Sequence, residues 1–81
     1  MVMAEELTAA LDTAIVTARA EYRRAVIELA TREAANDAAL VREPADVDRI
    51  HQARTRVIAL EAAREELSRM IDEGSLLTND W

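Results

Sequence analysis

Apolar positions recur along the first half of this chain at steps of mostly four, four and three. Leu7, Leu11, Ile15, Ala18, Tyr22, Val26, Leu29 and Leu40 share one face when the segment is wound as a helix at 100° per residue. The steps approach an 11-residue period, which goes with a straight or slightly right-handed path. A second set, Ala9, Val16, Ala20, Ile27, Ala34, Ala38 and Val41, falls well round the cylinder from the first. Charges fill the sectors between: Glu5, Asp12, Arg19, Arg23 and Asp37 on one flank, Glu6, Glu21, Arg24, Glu28 and Arg32 on the other. One neighbouring helix covers only one stripe. The second stripe therefore predicts a helix from elsewhere, most simply a second copy of the chain, and its small residues let that helix come close.

The second half carries a different period. Ile50, Val57, Arg64 and Ile71 are spaced by seven, and Ala53, Leu60 and Leu67 fill the offset of three. This is a heptad seam over about three heptads. Arg64 interrupts it, as Glu33 interrupts the main stripe of the first half.

The boundaries come from residue chemistry. Neither Gly nor Pro occurs before Pro44, and strong helix formers dominate, so one helix is expected from about residue 4 to about 42. Asn36-Asp37 is its weakest point. Glu43-Pro44 is the break: proline lacks a donor and disfavours helix at the preceding residue, yet suits the first turn of a new helix. Asp46 and Asp48 then stand where acids favour a helix start. A second helix is expected from about 45 to 73, ending before Gly74, which suits a left-handed position just past a helix end. Residues 74–81 form a short tail with Leu76, Leu77 and Trp81.

Two long helices joined by a short break make an antiparallel hairpin. With the turn at 43–44, facing residues should have numbers summing to roughly 87, because both arms rise equally per residue. That rule pairs Glu33 with Arg54, an ion pair expected to fix the register, and stacks Arg64 on Tyr22; the alternative is that all four extend to solvent at the stripe's edge. It also sets Leu76 against Leu11, so the tail is expected to fold back over the first helix. The alternative for the tail is a docking motif anchored by Trp81, a residue type favoured at binding hot spots.

Composition sharpens this picture. The 81 residues are 51% hydrophobic, but much of that is alanine, which buries little area. There is no Phe and one Tyr. So small a chain usually needs a staple: disulfides, a metal or association. Cys is absent, which removes disulfides and thiolate metal sites and leaves association. The formal charge of −6 disfavours nucleic acid and anionic membrane. No apolar run approaches the roughly 20 residues of a membrane span. The N-terminus, Met1-Val2-Met3-Ala4-Glu5-Glu6, is acidic where a signal peptide is basic, so the expected compartment is the cytoplasm. All ten basic residues are Arg, which reads as coding bias rather than as a demand for ten guanidinium groups.

The chemical candidates are thin. His51, the one histidine, follows Asp48 at an acid-x-x-His spacing that places both on one helical face. Bundle metal sites combine such an element with carboxylates from facing helices and a second copy of the motif; here there is one such element and no repeat of it, so His51 reads as a surface residue and no metal or cofactor is expected, the alternative being a symmetric dimer that brings two copies together. Ser68 and Ser75 have no His–acid pair to activate them, and phosphate-cradling loops need more than the one glycine present. The stretch from Arg42-Glu43-Pro44 to Asp48-Arg49 resembles the loop and second helix of the all-helical chorismate mutases, whose sites hold a dicarboxylate with Arg and Lys. This chain has no Lys and is too short for a full third helix, so the resemblance carries no activity across. Arg49, Arg54 and Arg56 form a local basic cluster around His51, but Asp46, Asp48 and Glu61 surround it, and single-strand binders rely on aromatic platforms that are missing. A solvated face with pairs such as Glu28–Arg32 and Glu65–Arg69 one turn apart accounts for it.

The sequence thus predicts an all-α antiparallel two-helix hairpin with a short C-terminal tail that self-associates as a dimer or higher oligomer, as in a four-helix bundle or coiled-coil-like assembly. The expected function is a non-enzymatic protein–protein interaction module, an assembly, adaptor or structural component, with no small-molecule substrate. Its interaction residues are Val16, Ala20, Ile27, Ala34, Val41, Leu76, Leu77 and Trp81. The alternative is a small regulator, such as an antitoxin or inhibitor, that binds one target protein.

Overall fold

The computed structural model describes residues 3–35 and 44–74. They form two helices, α1 over Ala4–Ala35 and α2 over Pro44–Asp72, which pack against each other as a hairpin.

The local chemistry explains each end. The Met3 carbonyl accepts from the N–H groups of Glu6 at 2.9 Å and Leu7 at 3.1 Å, opening α1 where expected, and Glu5 and Glu6 sit in the first turn against its positive dipole end. Described helix stops at Ala35, immediately before Asn36-Asp37. The expected continuation to residue 42 and the turn at 43 fall within residues 36–43, outside the described residues. α2 opens on Pro44 itself, whose fixed φ and missing N–H suit a first helical position. It closes at Asp72, one residue earlier than expected. The Glu73 N–H donates to the Arg69 carbonyl at 2.9 Å and the Gly74 N–H to the Ile71 carbonyl at 3.1 Å. Gly74 has φ 78°, a left-handed position open to glycine without steric cost.

The core is a single row from each helix. Ile15, Ala18 and Ala25 of α1 are buried with Val57 and Leu67 of α2. Every other member of the α2 seam, Ile50, Ala53, Leu60, Arg64 and Ile71, is half-buried, as are Leu7, Leu11, Tyr22 and Leu29 of α1. Both periodicities therefore locate the contact face. One position departs: Val26 is 42% exposed, and Ala25 takes the buried place. Ala25 is buried and Ala53 of the α2 seam is half-buried, and small residues on both contact faces let the backbones approach. Among the described residues no large side chain is fully enclosed, because two rods can only flatten side chains between them.

Ion pairs fix how the rods slide. Arg19 pairs with Glu61, its Nε donating to Oε2 at 3.0 Å. Arg64 Nε donates to Asp12 Oδ1 at 2.8 Å. Arg49 Nη1 lies 2.5 Å from Glu28 Oε1. In each pair a later residue of α2 meets an earlier residue of α1, which defines an antiparallel hairpin. The pair numbers sum to between 76 and 80, not to the expected 87 or so. The nine-position difference displaces the arms by about 13 Å at 1.5 Å per residue. Arg54 is then level with Arg24 and not with Glu33, so a Glu33–Arg54 pair does not set this register. Arg64 likewise does not stack on Tyr22; it binds Asp12 and, within its own helix, Ser68. Pro44 opens α2.

All these partners remain substantially exposed, so each pair specifies register more than it stabilises. Reversing Asp12→Arg or Arg64→Asp alone is expected to lower unfolding free energy by a few tenths to about 1 kcal/mol, with most of it recovered in the double reversal. Urea denaturation of the four proteins measures this.

Candidate interaction surface

The half-turn geometry of α1 creates the surface. Val16 lies nine residues before Ala25, and Ile27 lies nine after Ala18; nine residues make two and a half turns of helix. Because Ala18 and Ala25 are buried against α2, Val16 and Ile27 point directly away from it. They are 67% and 63% exposed. Ala9, Ala20 and Ala34 continue the same line and are also exposed. From Ala9 to Ala34 the stripe runs about 38 Å at 1.5 Å per residue. Single exposed apolar residues are normal on protein surfaces; a helix-long row opposite the core requires a reason.

Of the sequence-predicted interaction residues, Val16, Ala20, Ile27 and Ala34 are thus brought together on one outer face. Val41, Leu76, Leu77 and Trp81 lie outside the described residues. So do Leu40, Ala38 and the expected Leu76–Leu11 contact, although Leu11 itself borders an apolar recess of about 440 Å³ between the helices, with Leu7, Ala10, Ala63, Leu67 and Met70. Periodicity missed this recess because a stripe reports which way side chains face, not where two rods leave a gap between them. It missed Ile58 as well, 52% exposed on α2, since Ile58 stands outside the heptad seam.

Polar residues line a second gap between the helices. Glu21 and Arg24 of α1 and Arg49, His51, Gln52 and Arg56 of α2 border an open recess of about 740 Å³. Arg49 and Arg56, from the basic cluster, therefore meet Arg24 there, while Arg54 is exposed on the surface. His51 and Asp48 are exposed, and among the described residues no three His, Cys, Asp or Glu side chains gather around a common point. No described helix is long and apolar enough to cross a membrane. Arg69 bridges Glu65 and, at 2.6 Å, Glu66 on α2, matching the expected Glu65–Arg69 pair.

The acidity of the Glu28 carboxyl is perturbed. The hydrogen bond from Arg49 holds it below the ordinary carboxylate range, burial opposes this, and attraction to Arg49, Arg32 and Arg24 adds to the lowering. The expected partner Arg32 thus acts through space, while Arg49 supplies the contact. A lowered folded value means stabilisation present above the unfolded carboxyl value, about 4.3, and lost as pH falls through the folded value. Glu28→Gln should therefore reduce stability at neutral pH and leave less to lose on acidification below about pH 4. Thermal melts of both proteins across that range test it; parallel curves would contradict it.

Compared with protein-family models, curated proteins and solved structures, the chain shows no significant match. Its function is read from its own residues.

Proposed function

We propose that this chain is a non-enzymatic protein–protein interaction module, an assembly, adaptor or structural component, that works by burying the outer stripe of α1 against another helix. The observation that carries this is the exposure of Val16 and Ile27 on the side of α1 that α2 cannot reach. Burying an isoleucine or valine side chain stabilises by roughly 1.5–3 kcal/mol, and the hairpin alone forgoes that gain at both positions. The alanines between them present no bulk that would hold a partner helix off. Flanking charges, acidic at Glu5, Glu6 and Asp12 and basic at Arg19, Arg23 and Arg24, form the polar rim that gives an interface its specificity. Association through this face also supplies the staple that the hairpin lacks, since no large side chain is fully enclosed among its described residues.

A photo-crosslinking residue placed at Ile27 should give a discrete protein adduct in cells, identified by mass spectrometry. The same residue at Ala62, exposed on α2, should give none. Failure to obtain a discrete adduct at both Val16 and Ile27 would overturn the reading.

A further inference from the structure

We infer that the apolar recess between the helices is the docking site for this chain's own residues 75–81, which turn back at Gly74 and lay Leu76, Leu77 and Trp81 over Leu7 and Leu11 of α1 and Leu67 and Met70 of α2. The recess lies at the end of the hairpin where α1 starts and α2 finishes. Its occupant does not depend on what covers the outer stripe.

Gly74 supplies the direction. Its φ of 78° and the bond from its N–H to the Ile71 carbonyl at 3.1 Å are those of a Schellman turn. In that turn the chain reverses at the glycine, and the residues after it return beside the last helical turn, here at Met70. A chain continuing along the axis of α2 would leave α1 behind. Partner numbers summing to 76–80 set position 76 level with residue 4 or earlier, and α1 begins at Ala4. Reversal is thus the route by which Leu76 meets an apolar surface. The reach is sufficient. From Gly74, Met70 lies about 6 Å back along α2 and Ala63 about 17 Å back at 1.5 Å per residue. Two extended residues span up to about 7 Å and seven up to about 25 Å.

The lining selects the occupant. Leu7, Ala10, Leu11, Ala63, Leu67 and Met70 border the recess, and Glu66, the one charged residue among the described lining, is bound to Arg69 within α2. At about 440 Å³ the recess falls in the range that encloses apolar ligands of many atoms, roughly 300–1,000 Å³. A polar segment loses its water there without gaining hydrogen bonds. Residues 75–81 bring two leucines and the chain's one tryptophan. The tether decides between this segment and a free partner of the same chemistry. Two residues separate Leu76 from Gly74, and so short a link holds it at an effective concentration in the millimolar range, so the chain's own segment prevails over a free partner of equal intrinsic affinity. Docking also covers Leu7 and Leu11, which the two helices alone leave half-buried.

Because Trp81 is the only tryptophan, its fluorescence reads the docked state directly. In the full chain its emission should be blue-shifted and protected from acrylamide, and the protection should not change on dilution. Ala10 and Ala63 stand on opposite walls of the recess at exposed helix positions, where glutamate is a good helix former. Ala10→Glu and Ala63→Glu should each keep the helicity seen by circular dichroism and red-shift Trp81. Each should lower the docked-to-free ratio at least about tenfold, since a carboxylate desolvated under the segment costs more than the 1.4 kcal/mol that a factor of ten requires. Ala62→Glu, exposed on α2 outside the recess, should change neither reading. Leu76→Ser/Leu77→Ser, which alters no residue of either helix, should release Trp81 equally and decides the matter if a glutamate variant loses helicity. A water-exposed Trp81 in the unaltered chain, or one indifferent to these substitutions, would overturn the inference. Protection that falls on dilution assigns the recess to a second copy's segment and overturns it as well. Crosslinking at Val16 and Ile27 is unaffected by any of these results.

Discussion

Two helices that touch along one line can hide one row of side chains each, and everything else in this protein follows from that constraint. The row on α2 is its heptad seam; the row on α1 runs through Ile15, Ala18 and Ala25. Alanines in the α1 row bring the backbones close but contribute little buried area. The hairpin is therefore defined in geometry and thin in hydrophobic driving force. α1 has a second apolar row and α2 has none of comparable length, which makes the two helices unequal: α2 packs on one side and faces water on the other, whereas α1 has apolar surface on both.

Direction and register come from charge rather than from shape. A flat contact built from alanine, leucine and valine tolerates sliding, since one apolar layer resembles the next. Arg19–Glu61, Arg64–Asp12 and Arg49–Glu28 sit along the edges of the contact and agree on one offset. Arg64 shows how this works: it occupies a seam position, and its stem lies over the contact while its guanidinium reaches Asp12 at the rim. A leucine there would bury more area and leave the offset less defined.

The helical fold, both helix starts and the contact faces were legible in the sequence, because they depend on local chemistry: the periodicity of apolar residues, the fixed φ of Pro44, the permissive backbone of Gly74. The outward row of Val16 and Ile27 was legible for the same reason. The register was not. It depends on how far one helix slides along the other, which no local signal encodes and which the ion pairs across the hairpin define. Sliding one helix along the other without rotating it keeps both apolar faces in contact, so the periodicity locates the faces and leaves the register open. Charge partners do not survive such a shift, and the Arg64–Asp12 pair across the hairpin was not anticipated. Ala25 in place of Val26 is the same effect at small scale: the contact line drifts around a helix, and only the partner's position decides which neighbour is covered.

The most direct measurement compares the two sides of α1 in one experiment. Methyl NMR with a soluble paramagnetic probe reports the water contact of Ile15, Val16, Ile27 and Val57 separately. At high protein concentration all four should be shielded; on dilution Val16 and Ile27 should become accessible while Ile15 and Val57 remain protected. Val16 and Ile27 methyls that are fully accessible at every concentration, in a chain whose Ile15 and Val57 stay shielded, would contradict the account.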